Sequence, residues 1–217
     1  KLSKGSPREA AQRGLEWLQQ SAVNWSSGGR NECFGCHVHA QALMGQAVAL
    51  ENGYRVSKPG MQALADFMRK KQVASGTLGS NHEWTSAVFG AMGFAYAAEA
   101  SGRKTDPELF KTVDYLLKIQ KPDGGMPVEF SDPPVVQGAF MMTSNSLVAF
   151  RWAAAHSRDA KYREAADHAL AWIANTEPVT TQDRVFKIVA VNRYGTLEQK
   201  RAAWPLLEEL AAQQTAD

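Results

Sequence analysis

Only two cysteines occur in this chain, too few for a disulfide framework, and both fall within one five-residue stretch. Charge of one sign is also missing. Lys plus Arg number 24 against 22 for Asp plus Glu, a net charge of +2, and no basic stripe stands out. Nucleic-acid binding therefore has no electrostatic support. No window of about twenty uninterrupted apolar residues is present, so no membrane-spanning helix is encoded. The opening Lys1-Leu2-Ser3-Lys4 has neither an initiator Met nor the apolar stretch of a signal peptide, as expected of a processed chain. Alternation of apolar and polar residues is absent, which argues against strands. No Ser/His/Asp order, phosphate-cradling glycine loop or helical His-x-x-x-His pair is found.

What is present is enough apolar material for a sizeable core, 44% of 217 residues, arranged as an internal repeat. Leu43-Met44-Gly45-Gln46-Ala47-Val48-Ala49-Leu50-Glu51 lines up with Ala91-Met92-Gly93-Phe94-Ala95-Tyr96-Ala97-Ala98-Glu99. A looser copy sets Thr85-Ser86-Ala87 on Thr143-Ser144-Asn145. Upstream of each copy lies a more amphipathic segment ending near a glutamine. Leu109, Val113, Leu116 and Leu117 carry the helical spacing in one, and Leu64, Phe67 and Met68 in another. Pro7, Pro59 and Pro107 fall at first-turn positions, where a missing N–H costs nothing. Stretches rich in Gly, Ser, Asn and Pro, namely 24–31, 74–81 and 121–137, read as loops.

The pattern predicts an all-α chain, one helical-repeat domain over residues 1–217. Polar-outer and apolar-inner helices alternate in hairpins at about 7–52, 59–101, 106–156 and 159–193, with a final helix at 197–213.

The cysteines lie in Cys33-Phe34-Gly35-Cys36-His37. C-x-x-C-H is the attachment signature for haem c. Each thiol adds across one haem vinyl group, two intervening residues match the separation of the vinyls, and the adjacent imidazole faces the iron. His37 is thus the expected proximal ligand. Three other readings use the same residues: a redox-active or structural disulfide, a zinc site built with His37 or His39, and two inert thiols at a helix start.

The repeat sets Cys36 on Trp84, so the loop around His82 is expected at the same rim as the cysteines. His82 is the first choice for a second metal ligand, although a loop histidine there could equally cap the next helix. Met141 and Met142 follow, with Met142 the weaker metal candidate, and Met126 comes after them. A methionine pair at such positions is more often core. Phe34 and Trp84 are expected to line the cofactor. Trp25, Phe140 and Phe186 are further aromatics for a pocket or a core.

One stretch, Tyr115-Leu116-Leu117-Lys118-Ile119-Gln120-Lys121-Pro122-Asp123-Gly124-Gly125, resembles the helix–Gln–x–x–Asp–Gly–Gly motif of the terpenoid-cyclase and prenyltransferase superfamily. The resemblance implies a partial α/α-toroid of about four to five stacked hairpins. Enzymes of the cyclase branch also use an Asp-rich acid motif. The nearest acids here, Asp132 and Asp183, stand apart from other carboxylates, so what carries over is the scaffold.

The expected role is a c-type haem domain for electron transfer or for redox or gas sensing, not an enzyme. It would be periplasmic or exported, because haem c is attached outside the bacterial cytoplasm, and would work with a redox partner protein. The alternative is a non-catalytic toroid that binds a hydrophobic ligand or a protein partner, with Cys33 and Cys36 as a disulfide or zinc site. A lipid-modifying enzyme related to the cyclases is a third.

Overall fold

The computed structural model describes residues 6–27, 36–79, 82–132 and 138–214. Among these the chain is all-helical, with nine α-helices and no β-strand. They are α1 (Pro7–Ser27), α2 (Cys36–Glu51), α3 (Lys58–Lys71), α4 (Glu83–Ser101), α5 (Pro107–Ile119), α6 (Gly138–His156), α7 (Ala160–Asn175), α8 (Thr181–Tyr194) and α9 (Leu197–Ala212). Composition places a loop from Asn24 onward, yet α1 runs on to Ser27. A helix already nucleated over four turns extends through residues of middling propensity.

Most helix starts have a visible cause. Ser57 Oγ accepts from the Gly60 N–H, with Pro59 in the first turn of α3. Asp106 Oδ1 accepts from the Leu109 N–H at the start of α5 (3.1 Å). Thr180 with Asp183, and Thr196 with Gln199, form reciprocal capping boxes on α8 and α9. Gly102 ends α4 in the left-handed conformation, φ 67°.

The chain divides into two compact units, Lys1–Thr112 and Val113–Asp217, the division falling inside α5. In the first unit α1 packs beside α3, and α2 beside α4 in the most extensive helix pairing of that unit. α3 buries the stripe Met61, Leu64, Ala65 and Met68. α4 is buried at every position from 85 to 96, as its small, apolar sequence allows. A Cβ built on Gly93 would stand 3.1 Å from the Ala40 Cα, so α2 and α4 cross almost backbone to backbone there. His39 stacks on Phe67 with ring centroids 4.6 Å apart, and Met61 of α3 lies with Ala97 and Ala100 of α4 around one cavity. α3 therefore runs antiparallel to both inner helices, and α2 and α4 run parallel.

In the second unit α6 is buried at every position from 140 to 150 and packs against α7 and α8, with α9 on α8. α7 turns Tyr162, Ala165, Ala166, Ala169, Leu170 and Ile173 inward.

The glutamine after an outer helix donates to the start of the outer helix that follows, and it does so twice. In the first unit Gln72 Nε2 donates to the Glu108 carbonyl (2.7 Å) and to Thr112 Oγ1 (2.8 Å). In the second, Gln120 Nε2 donates to the Gly124 and Ala165 carbonyls (both 3.0 Å). The turns after them superpose in their bonding. Val73 N–H donates to Thr77 and Lys121 N–H to Gly125, each at 2.9 Å. Gly76 (φ 100°) and Gly124 (φ 93°) sit at equivalent places, and each presses against the backbone of the outer helix that follows. Leu78 and Met126, two residues further on, are fully buried.

Candidate functional site

The C-x-x-C-H run straddles the limit of the described residues. Cys33 and Phe34 lie outside them, as does the side chain of Cys36, whose backbone opens α2. His37, in the first turn of α2, is half-buried, and among the described residues its ring takes no hydrogen bond, ion pair or ring contact. The other histidine of this helix differs. His39 is completely buried and stacked on Phe67, part of the α2–α3 packing.

The neighbouring rim is formed by the start of α4. His82 is its N-cap residue and is exposed, but its ring makes no capping bond to the helix. Trp84 is half-buried in the first turn.

Repeat alignment sets Cys36 level with Trp84. The Ala40–Gly93 crossing shows a different stagger. Ala40 is four residues into α2 and Gly93 ten residues into α4, so α4 begins about 9 Å further out along their shared direction. Trp84 and His82 thus stand beyond the start of α2 instead of beside it. The reason is steric: the inner helices settle where their smallest residues let the backbones approach, and that point need not conserve the sequence offset.

The chemistry of the donor set fits a covalent haem. Two thiols precede an imidazole in the required order, and an indole and a second imidazole occur at the same end of the first unit. Trp25, near the end of α1, is exposed.

In the second unit Met141 and Met142 are buried in α6, and Met126 is fully buried after the Gly-Gly turn. All three have the surroundings of core methionines. Phe140 is buried against Trp172, ring centroids 5.0 Å apart, and Phe186 is half-buried in α8. His156 is engaged with its own helix, its Nδ1 2.8 Å from the Trp152 carbonyl and its ring stacked on Trp152.

Among the described residues no three His, Cys, Asp or Glu side chains gather as a metal site, and no helix is long and apolar enough to cross a membrane.

Two buried polar groups carry no sequence signature. Asp106 is fully buried, bound by Arg69 (2.8 Å) and Arg103 (3.5 Å). It anchors the α3–α5 junction. Lys187 is half-buried and donates to the Thr176 carbonyl at the end of α7 (2.8 Å). Desolvation holds its ammonium below the ordinary lysine range.

Comparison of the chain with protein-family models, with curated proteins and with solved structures finds no match.

Proposed function

We propose that the chain carries one covalently attached haem c and acts as a one-electron carrier, or as a redox or gas sensor if the sixth iron position is open. The supporting observation is the order Cys33-x-x-Cys36-His37 in the sequence, with His37 half-buried in the first turn of α2. Haem c, when bound, supplies an Fe(III)/Fe(II) couple whose potential follows its second axial ligand and the polarity around it.

In this reading the thiols of Cys33 and Cys36 anchor the porphyrin, and His37 supplies the proximal nitrogen. Phe34 and Trp84 contribute apolar walls. His82 would be the first candidate for a second iron ligand. The partial α/α-toroid is the scaffold, its alternating outer and inner helices holding the motif at one rim. Maturation of haem c places the chain in the periplasm or outside the cell, where a redox partner protein would meet the exposed edge.

Expression in a bacterial host with working haem c maturation tests this. The expected product is red, keeps its Soret band after denaturation, gains the mass of one haem and has no titratable thiol. Cys33→Ser with Cys36→Ser abolishes covalent colour. His82→Ala converts a low-spin spectrum to high-spin if His82 is the sixth ligand. A colourless chain with two thiols, an S–S bond or bound zinc, from cells that mature a control cytochrome in parallel, refutes the assignment.

A further inference from the structure

In the second unit the large apolar side chains left in solvent are concentrated, not scattered. All of those that are exposed among its described residues fall between Val179 and Leu207. Val185 and Val189 occupy one side of α8, with Val189 58% exposed. Leu197 and Trp204 occupy one side of α9, at 64% and 59% exposed, with Leu207 beside them. Between the two helices runs an apolar groove of about 620 Å³, lined by Ile188, Val191, Ala203, Trp204 and Leu207 and bordered by Lys200 and Arg201. Single exposed apolar residues are ordinary, but an apolar groove between two helices with Leu197, Trp204 and Leu207 exposed along it marks an interaction surface.

The charges on α9 indicate what covers it. Arg201 and Glu208 are seven residues apart, two turns, and so share the flank of the stripe with Trp204 between them. Neither the Lys200 nor the Arg201 side chain has a hydrogen-bond or ion-pair partner among the described residues. Glu208 Oε1 accepts from the Trp204 indole N–H of its own helix (3.0 Å). Rotate a second α9 by 180° about an axis passing near Trp204, antiparallel to the first. Arg201 then faces Glu208 of the other copy, Glu208 faces Arg201, and the two Trp204 rings meet at the centre. The same patch serves both partners, which is the requirement for a closed two-fold interface.

We propose that the α8–α9 face is a homodimer interface. Two copies of this chain pair antiparallel along α9, sealed by Trp204, Leu197 and Leu207 and held in register by reciprocal Arg201–Glu208 ion pairs. The central indole is the anchor, and the flanking charges fix orientation more than affinity. This inference is independent of the haem assignment.

Sedimentation equilibrium and light scattering over a concentration series test it, with far-UV circular dichroism confirming that each variant stays helical. The wild-type chain dimerises reversibly. Trp204→Glu weakens the dimer by about a hundredfold or more, since it places two carboxylates at the centre of an apolar contact. Arg201→Glu alone and Glu208→Arg alone each weaken it by about tenfold, because like charges then face one another. The double reversal R201E/E208R restores association to near the wild-type level, because the pairing is rebuilt with its signs exchanged. A chain that stays monomeric at every concentration overturns the proposal. So does a monomer whose groove instead takes up dodecanoate, or a dimer insensitive to Trp204→Glu. A double reversal no better than the single changes overturns the antiparallel α9 register.

Discussion

Alanine at two left-handed glycines of the first unit should have unequal effects, and the difference isolates one contact. Gly102 has φ 67° and its Cβ would point into open space. Gly102→Ala therefore meets only the left-handed penalty of an L-residue, about 1 kcal/mol. Gly76 has φ 100°, and its Cβ would stand 2.5 Å from the Lys111 carbonyl oxygen and 3.3 Å from the Thr112 Cα. The obstacle is helical backbone, which cannot swing aside as a long side chain can. Gly76→Ala must push α5 away from the turn, and overpacking of this kind adds about 1–3 kcal/mol. The displacement also loosens the Thr112 Oγ1 bond to the Gly76 carbonyl (2.8 Å) and the Gln72 tie to the same helix. A total near 3 kcal/mol results, and with a urea m-value of about 2 kcal/mol/M it lowers the midpoint by about 1.5 M. For Gly102→Ala the fall is about 0.5 M by the same conversion. Urea titrations followed by circular dichroism at equal protein concentration measure both. Equal midpoints for the two variants would refute the claim that the turn is wedged against α5. Gly124→Ala, whose Cβ would meet the His168 carbonyl in the second unit, should behave as Gly76→Ala does.

Loss of the tie itself is milder. Gln120→Ala removes two hydrogen bonds and leaves the Ala165 carbonyl without that donor, which predicts a cost of about 1–3 kcal/mol in denaturant titrations, with Gln120→Glu no better. Asp106→Ala removes the buried partner shared by Arg69 and Arg103 and uncaps the Leu109 N–H, while Arg69 keeps Asp66 (2.9 Å), and should cost about 1.5–3 kcal/mol, read as a fall in Tm in thermal melts. Burial, and then its bond to Asp114 (2.9 Å), push the Tyr162 phenol above its ordinary range. Because the folded chain holds this proton more tightly than the unfolded one, its contribution is complete below about pH 10 and declines as pH rises through the folded value. Tyr162→Phe should therefore show a shallower alkaline loss of stability than wild type when denaturant midpoints are followed upward from pH 9. Maturation of a Cys33→Ser, Cys36→Ser chain gives the direct check on the haem, since no covalent colour should form.

Much of the helical plan was legible because its signals are local. Pro7, Pro59 and Pro107 fall in the first turns of α1, α3 and α5. Leu64 and Met68 face inward as their spacing requires. The glutamine-to-glycine turn was visible at Gln120-x-x-x-Gly124 as a motif. Its twin at Gln72-x-x-x-Gly76 became visible only through shared bonding, since Lys121-Pro-Asp-Gly-Gly and Val73-Ala-Ser-Gly-Thr have only the glycine in common. Alignment of Thr85-Ser86 with Thr143-Ser144 is shifted by one in the bonded structure. The Leu78 N–H donates to Ser86 Oγ (3.4 Å), whereas the Met126 N–H donates to Thr143 Oγ1 (2.9 Å). Either hydroxyl can cover the same orphan donor, so the one-residue shift leaves the bond intact. His82 reads from sequence as a candidate cap, but its backbone takes the N-cap place while the ring makes no capping bond.

Taken alone, the order of residues determined where helices begin, which of them are amphipathic, and that two thiols and an imidazole stand together in haem-attachment order. These are properties of neighbours within a few turns, set by dihedral preference, capping and periodicity. Tertiary structure decided what those neighbours meet. It set Ala40 on Gly93, put Asp106 between two arginines, stacked His39 on Phe67, and left Trp204 in solvent beside Arg201 and Glu208. Each of those outcomes depends on how two distant surfaces fit at close packing, and side-chain volume and stagger settle that fit only once the helices are assembled.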